Sequence, residues 1–246
     1  MKRLRDQFSY SSKIRYLLWR ALSAHQPLIV ALSNGIKIVV RQPPADDLGI
    51  AYEVFVGKAY QSPRHLDAGS VKRIVDLGAN VGYTCVYWLA NFPNAEIMAF
   101  EPHPVHLGFI ETHLAINRGS GRVRLYQAAA STQPGETSLT DDGCRSTTVP
   151  GGESSIRVPQ VDFFACVGNQ AIDLLKIDIE GGEYEILSDL RFNRLDVKTL
   201  VMEWHHHEAY PLGGEWCVSR LRQLGYQVSP SSDIKAEQGT LWAFRS

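Results

Sequence analysis

The stretch Val75-Asp76-Leu77-Gly78-Ala79-Asn80-Val81-Gly82 joins an apolar run to a new periodic segment, and a glycine-punctuated turn at such a junction leaves few folds open. Gly78 lets the chain turn sharply where a side chain would clash, and Gly82 allows a helix to approach a strand closely. The helix that follows would present unpaired backbone N–H groups to a ligand. From residue 73 the pattern alternates strand and helix over 73–77, 83–91, 96–101, 105–117 and 123–128. After an interval at 132–155 rich in Gly, Ser and Thr, it resumes with a strand over 173–178. Such alternation predicts right-handed βαβ units and a parallel sheet with helices on both faces. A helix near 183–190, a strand over 199–203, a helix near 215–224 and strand candidates at 226–229 and 240–244 complete the chain.

A dinucleotide fold normally carries Gly-x-Gly-x-x-Gly, whose middle glycine makes room for a pyrophosphate. Here Asn80 fills that position. Its side chain and the Asp76 carboxylate favour a nucleoside ligand whose other end carries an ammonium and a carboxylate, as S-adenosylmethionine does. Glu101, at a strand end about 20 residues past the turn, is placed to accept hydrogen bonds from both ribose hydroxyls.

The run from Asp76 to Gly82, then Phe100-Glu101-Pro102-His103-Pro104, Leu175 to Tyr184 (LKIDIEGGEY) and Glu203-Trp204-His205 resemble, in order and spacing, the FkbM family of S-adenosylmethionine-dependent methyltransferases. The resemblance implies a Rossmann-like class I methyltransferase fold, α/β, with a mostly parallel seven-stranded sheet and a C-terminal antiparallel strand. Ahead of this methyltransferase domain, placed at 71–246, the residue pattern predicts an N-terminal extension over 1–70 with a helix and β-hairpin. The implied cofactor residues are Asp76, Gly78, Ala79, Asn80, Gly82, Glu101, Pro102, Ala129 and Asp178. The expected reaction is methyl transfer to a hydroxyl of a sugar, polyketide or other secondary metabolite. An NAD(P)-dependent oxidoreductase and a catalytically degenerate binding module are the alternatives.

Four carboxylates, Asp76, Glu101, Asp178 and Glu203, fall at predicted strand ends, where open parallel sheets bind ligands. A lone carboxylate is more often a helix cap or a surface group, so joint placement carries the reading. Lys176, Asp178 and Glu180 share one side of a strand buried on both faces, and such a charged row is costly unless paired. A structural pair of Lys176 with Asp178 or Glu180 is compatible with a catalytic role for Asp178 and Glu180. His205, on the same side as Glu203, is the candidate base, because an imidazole titrates near neutral pH. Alternatively Asp178, Glu203 and His205 hold a divalent cation such as magnesium, which would acidify the acceptor hydroxyl. His206 and His207 read as polar loop residues.

A net charge of −1 gives no reason to expect nucleic acid as a partner. Cys85, Cys144, Cys166 and Cys217 form no close pair, the longest apolar run near the N-terminus is short, and together these point to a cytoplasmic protein without a membrane span. Residues 13–24 carry Ile14, Leu17, Leu18 and Leu22 at helical spacing. A helix covering the core or a subunit partner with that stripe is preferred over a membrane-surface anchor. Asn34-Gly35 between two β-branched runs predicts a hairpin over 28–40, and helix and hairpin are candidate elements of a homodimer. Acceptor choice is expected to reside in 52–66 and 132–152, the latter read as an inserted hairpin or loop.

Overall fold

The computed structural model describes residues 4–21, 26–43, 45–57, 59–140 and 155–245. The chain begins with α1 (Tyr10–Ala21), β1 (Leu28–Ala31), β2 (Lys37–Val40) and α2 (Asp47–Phe55). Alternation follows through β3 (Arg73–Leu77), α3 (Tyr83–Asn91), β4 (Glu96–Phe100), α4 (Pro104–Ile116) and β5 (Val123–Tyr126). Next come β6 (Ala129–Ser131), β7 (Gly135–Thr140), β8 (Ser155–Asp162) and α5 (Phe163–Val167). The chain closes with β9 (Ile172–Ile177), α6 (Glu183–Ser188), β10 (Val197–Trp204), α7 (Gly213–Gln223), β11 (Gln227–Pro230) and β12 (Gly239–Phe244).

The main sheet has seven strands in the order β11-β12-β10-β9-β3-β4-β5. Neighbours from β10 through β5 are parallel, while β12 runs antiparallel between β10 and β11. The sheet is therefore mixed, with the expected antiparallel closing strand. Order reverses between β3 and β9, and that switch point opens a crevice beyond the strand ends. Successive residues of β3 enter different cores: Ile74 packs with Leu174, Val201 and Trp242, whereas Val75 and Leu77 pack with Leu175, Ile177 and Leu200. Both faces are covered, so the central strands are nearly continuous apolar runs, and the charged residues fully buried in them, Asp76 and Lys176, stand out.

The first two strands form the expected antiparallel hairpin, with Gly35 at φ 90° in its turn. The hairpin and α2 share a third core with Val81, Tyr83 and Val86 at the start of α3. His113 of α4 pins this layer: its Nε2 accepts from Val39 N at 2.7 Å and its Nδ1 donates to Val81 O at 2.8 Å. Burial pushes the His113 pKa down to about 4, so the imidazole stays a neutral link between hairpin, helix and glycine turn.

Three expectations are corrected. In α1 the buried side chains are Ser12, Tyr16 and Trp19, so Ile14, Leu17 and Leu18 face outward, and Leu22 lies outside the described residues. The reason is polar anchoring: Ser12 Oγ accepts from Ala31 N at 2.8 Å and Trp19 Nε1 donates to Gln26 O at 2.7 Å. The 123–128 strand is interrupted, and β6 joins a separate three-stranded sheet, β6-β8-β7. Finally, β7 pairs antiparallel with β8 as an inserted hairpin would, but β8 runs over Ser155–Asp162, past the expected 132–155 interval, and the residues between them, including Gly151 and Gly152, lie outside the described residues. No helix among the described residues is long and apolar enough to cross a membrane.

Candidate active site

The turn after β3 lies in the fork between β4 and β9. Gly78 has φ +82°, and a Cβ there would collide with the carbonyl oxygen of Asp178. Gly82 has φ +90° at the N-cap of α3, where a Cβ would approach Ile110 Cα at 3.1 Å. The close approach that Gly82 permits is thus to a helix, α4, and not to a strand. Gly78→Val is expected to lower stability by roughly 2–6 kcal/mol as backbone strain and overpacking add, besides abolishing ligand binding. Urea denaturation would check this, and a wild-type midpoint would contradict the packing described.

Asn80 adopts φ 51°, a left-handed conformation that asparagine tolerates better than most residues. Its Oδ1 accepts from Val81 N at 2.7 Å, and its own N–H donates to Glu101 Oε2 at 2.8 Å. The other oxygen of Glu101 accepts from His103 N at 2.9 Å and lies 3.2 Å from His106 Nδ1. Glu101 therefore clasps the turn to the end of β4 while still facing a cavity. Gly78, Asn80, Glu101, Pro102, Ala129 and Asp178 all line that cavity. Sequence reasoning missed His106, Gln160 and Glu185 on its wall, and also Thr137 and Leu139 of β7.

Asp76 and Gly82 line neither this cavity nor the one beside it. Asp76 is fully buried under the turn. Its Oδ1 lies 3.1 Å from Lys176 Nζ, and its Oδ2 accepts from Thr84 Oγ1 at 2.5 Å. The Asp76 carboxylate, expected to face a ligand ammonium, stands in an internal ion pair with Lys176. Across the β3/β9 register Asp76 faces Lys176, whose Nζ also donates to Gly78 O at 2.7 Å and lies 3.3 Å from Asp178 Oδ2. Although burial disfavours its charge, Asp76 and Asp178 hold the Lys176 ammonium well above the usual lysine range. Of the two structural pairs weighed for Lys176, the one with Asp178 forms.

A second cavity adjoins the first and shares with it Gly78, Asn80, Asp178 and Glu180. Its wall adds Ala79, Glu203 and His205 at the strand ends, with Glu53 and Tyr60 from the chain before β3. Tyr60 Oη donates to Asp178 Oδ2 at 3.0 Å. Glu180 sits at φ 52° in the loop after β9 and places Oε2 at 3.4 Å from His205 Nε2. The same Nε2 lies 3.8 Å from Glu203 and 4.0 Å from Asp178. Asp178, Glu203 and His205 can each offer one ligand atom, all within 4.8 Å of one another.

The group that orients His205 is Glu183, whose place in the LKIDIEGGEY run carries no sign of this role. Fully buried at the start of α6, Glu183 accepts through Oε1 from His205 N at 2.9 Å and pairs with His205 Nδ1 at 2.8 Å. Its Oε2 accepts from Gly181 N at 2.8 Å. Burial alone would lower the pKa of His205, but the bond to Glu183 and the charges of Glu183, Asp178 and Glu180 raise it to about 9. Burial and the Asp178 charge push Glu203 up to about 7. At neutral pH the imidazole is therefore cationic, clamped at Nδ1, with Nε2 turned to the carboxylates of the second cavity.

The family model of the methyltransferase FkbM domain matches residues 76–228. Methyltransferase sdnD of Sordaria araneosa is 31% identical over 151 residues, 46% of this chain and 58% of that protein. Methyltransferase 1 of Beauveria bassiana is 25% identical over 177 residues, 60% of this chain and 70% of that protein. The chain thus spans little more than half the length of the first of these relatives. The crystal structure of methyltransferase FkbM from Methylobacillus flagellatus KT superposes with a TM-score of 0.53 at 13% identity, over 79% of this chain and 47% of that one, a likeness of fold.

Proposed function

This chain belongs to the FkbM methyltransferase family, and from that premise we propose that it transfers a methyl group from S-adenosylmethionine to a hydroxyl of a small molecule or glycan. The observation that carries the proposal is the shared wall of the two cavities. A nucleoside in the first would bring its far end to Asp178 and Glu180, beside the His205 of the second. The donor set fits the cofactor: Glu101 offers a carboxylate for ribose hydroxyls, and the acidic wall suits a sulfonium cation. Bound there, S-adenosylmethionine supplies a methyl group already activated by the sulfur's positive charge.

The chain's own residues would then align the acceptor, exclude water and take its proton. Glu183 fixes the imidazole so that Nε2 faces the acceptor, and His205 receives the proton once it is itself neutral. Glu180 and Asp178 stabilise the imidazolium formed and position the hydroxyl. The second route places a hard divalent cation on Asp178, Glu203 and His205. In this reading residues 1–70 are an extension that walls the acceptor side of a 71–246 catalytic domain, contributing Glu53 and Tyr60. Sugars, polyketides and other secondary metabolites are the acceptor classes, and the family assignment argues against the dinucleotide oxidoreductase.

Glu101→Ala is expected to weaken S-adenosylmethionine binding by about 1–3 kcal/mol, the worth of charge-assisted hydrogen bonds. Because Glu101 also clasps the turn, calorimetry with S-adenosylhomocysteine should be read beside a melting curve and beside Glu101→Gln. Wild-type affinity in Glu101→Ala would remove it from the ribose site. NAD bound in preference to S-adenosylhomocysteine would overturn the proposal. A folded, cofactor-binding chain with no turnover across a panel of hydroxylated compounds would support the degenerate module.

A further inference from the structure

One face of α1 has no partner among the described residues. Tyr10, Ile14, Leu17 and Leu18 are 82%, 45%, 61% and 56% exposed, the largest contiguous set of bared apolar side chains among the described residues. They recur at the spacing of a single helical stripe and lie opposite Ser12, Tyr16 and Trp19, which already anchor the helix to the hairpin. The helix therefore has two faces of distinct character, and burial against the described residues accounts for only one.

The rim of the outer stripe is uniformly basic. Lys13 and Arg20 fall along one edge and Arg15 along the other, all exposed, and no acidic residue occurs in Tyr10–Ala21. Arg5 ahead of the helix lies over the Tyr16 ring on the opposite face, next to exposed Asp6, so the basic rim rests on Lys13, Arg15 and Arg20 alone. In a chain whose net charge is only −1, this positive charge is local. A second copy docking through the same stripe would bring like charges together, which opposes self-association through this face. An anionic lipid surface offers what the stripe and its rim require together: apolar depth for Ile14, Leu17 and Leu18, diffuse negative charge for the rim, and an interfacial layer for the amphipathic Tyr10 ring.

We propose that α1 docks this chain on anionic membrane surfaces, lying in the interface with Tyr10, Ile14, Leu17 and Leu18 inserted and Lys13, Arg15 and Arg20 at the headgroups. A stripe of this size gives reversible binding that needs both apolar insertion and charge. The docking is independent of which hydroxyl is methylated.

Flotation of the full chain with vesicles of phosphatidylcholine and phosphatidylserine tests this, beside vesicles of phosphatidylcholine alone. Binding is expected only to the anionic vesicles and is expected to fall as salt is raised. Leu17→Ser/Leu18→Ser should cut the bound fraction roughly tenfold or more, as should Lys13→Glu/Arg20→Glu, with melting temperature and cofactor affinity unchanged because these side chains face solvent. No flotation with anionic vesicles would overturn the proposal. So would binding indifferent to both double variants, or sedimentation showing a dimer that Leu17→Ser/Leu18→Ser dissociates while vesicles bind neither form.

Discussion

Replacing His205 by alanine is expected to lower turnover by about 10²–10⁴ while leaving cofactor affinity nearly intact, the signature of a lost general base. The raised pKa of His205 adds a pH signature. The neutral imidazole is the form that can take a proton, so wild-type turnover should climb from pH 7 and level off near 9, by roughly tenfold per unit while His205 remains mostly protonated. Stability runs the other way. A histidine whose folded pKa is raised contributes fully below its ordinary 6.5 and loses that contribution as pH rises through about 9. His205→Ala also leaves Glu183 buried without its ring partner, so His205→Asn, which keeps a donor toward Glu183, is the companion variant. It should fold and remain as inactive. If a metal activates the hydroxyl instead, EDTA should silence the wild type and magnesium or manganese restore it, with Asp178→Asn or Glu203→Gln as damaging as His205→Ala. Full activity of His205→Ala together with indifference to EDTA would sink both routes.

The largest stability effect is expected at Lys176. Its ammonium sits in a fully buried position between Asp76 and Asp178 and ties two strand ends to the carbonyl of Gly78. Lys176→Met keeps the volume but strands the Asp76 carboxylate out of water, which should cost about 3–5 kcal/mol. For a domain of this size that is a fall of roughly 6–20 °C in melting temperature. Removing the partner charge as well, in Asp76→Asn/Lys176→Met, should recover part of the loss, because the penalty comes from the unpaired ion. Calorimetric melting of the two variants decides it. A Lys176→Met protein that melts with the wild type would mean that solvent reaches Asp76.

Elements whose periodicity is uninterrupted are legible in the sequence. The 83–91 helix has the predicted limits, and the unhelical connection between the last two strands gives the antiparallel closure. Strand β8 escaped because Pro159 lies inside it and its alternation is polar, so local rules demote it, and only pairing with both β6 and β7 makes it a strand. Of the two coverings expected for the apolar stripe of α1, the core and a subunit partner, the core is excluded for a related reason. Periodicity shows that a helix has two sides, while the choice of buried side fell to hydrogen bonds of Ser12 and Trp19 with distant backbone. At the site, residues at strand ends converge because topology puts all strand ends together. The link between Glu183 and His205 depends on how the start of α6 meets the end of β10, and no spacing rule encodes that meeting.

With cofactor and acceptor placed as proposed, the wall common to both cavities would link their occupancies. Gly78, Asn80, Asp178 and Glu180 cannot adjust to a guest on one side without presenting a changed surface to the other. By reciprocity of linked equilibria, any factor by which the cofactor alters acceptor affinity is the factor by which the acceptor alters cofactor affinity. If S-adenosylmethionine binds there as proposed, the sulfonium that enters is a cation and the thioether that leaves is neutral, so the acidic wall would hold substrate and product cofactors differently. Order of binding and release would then be written into four residues that neither ligand owns.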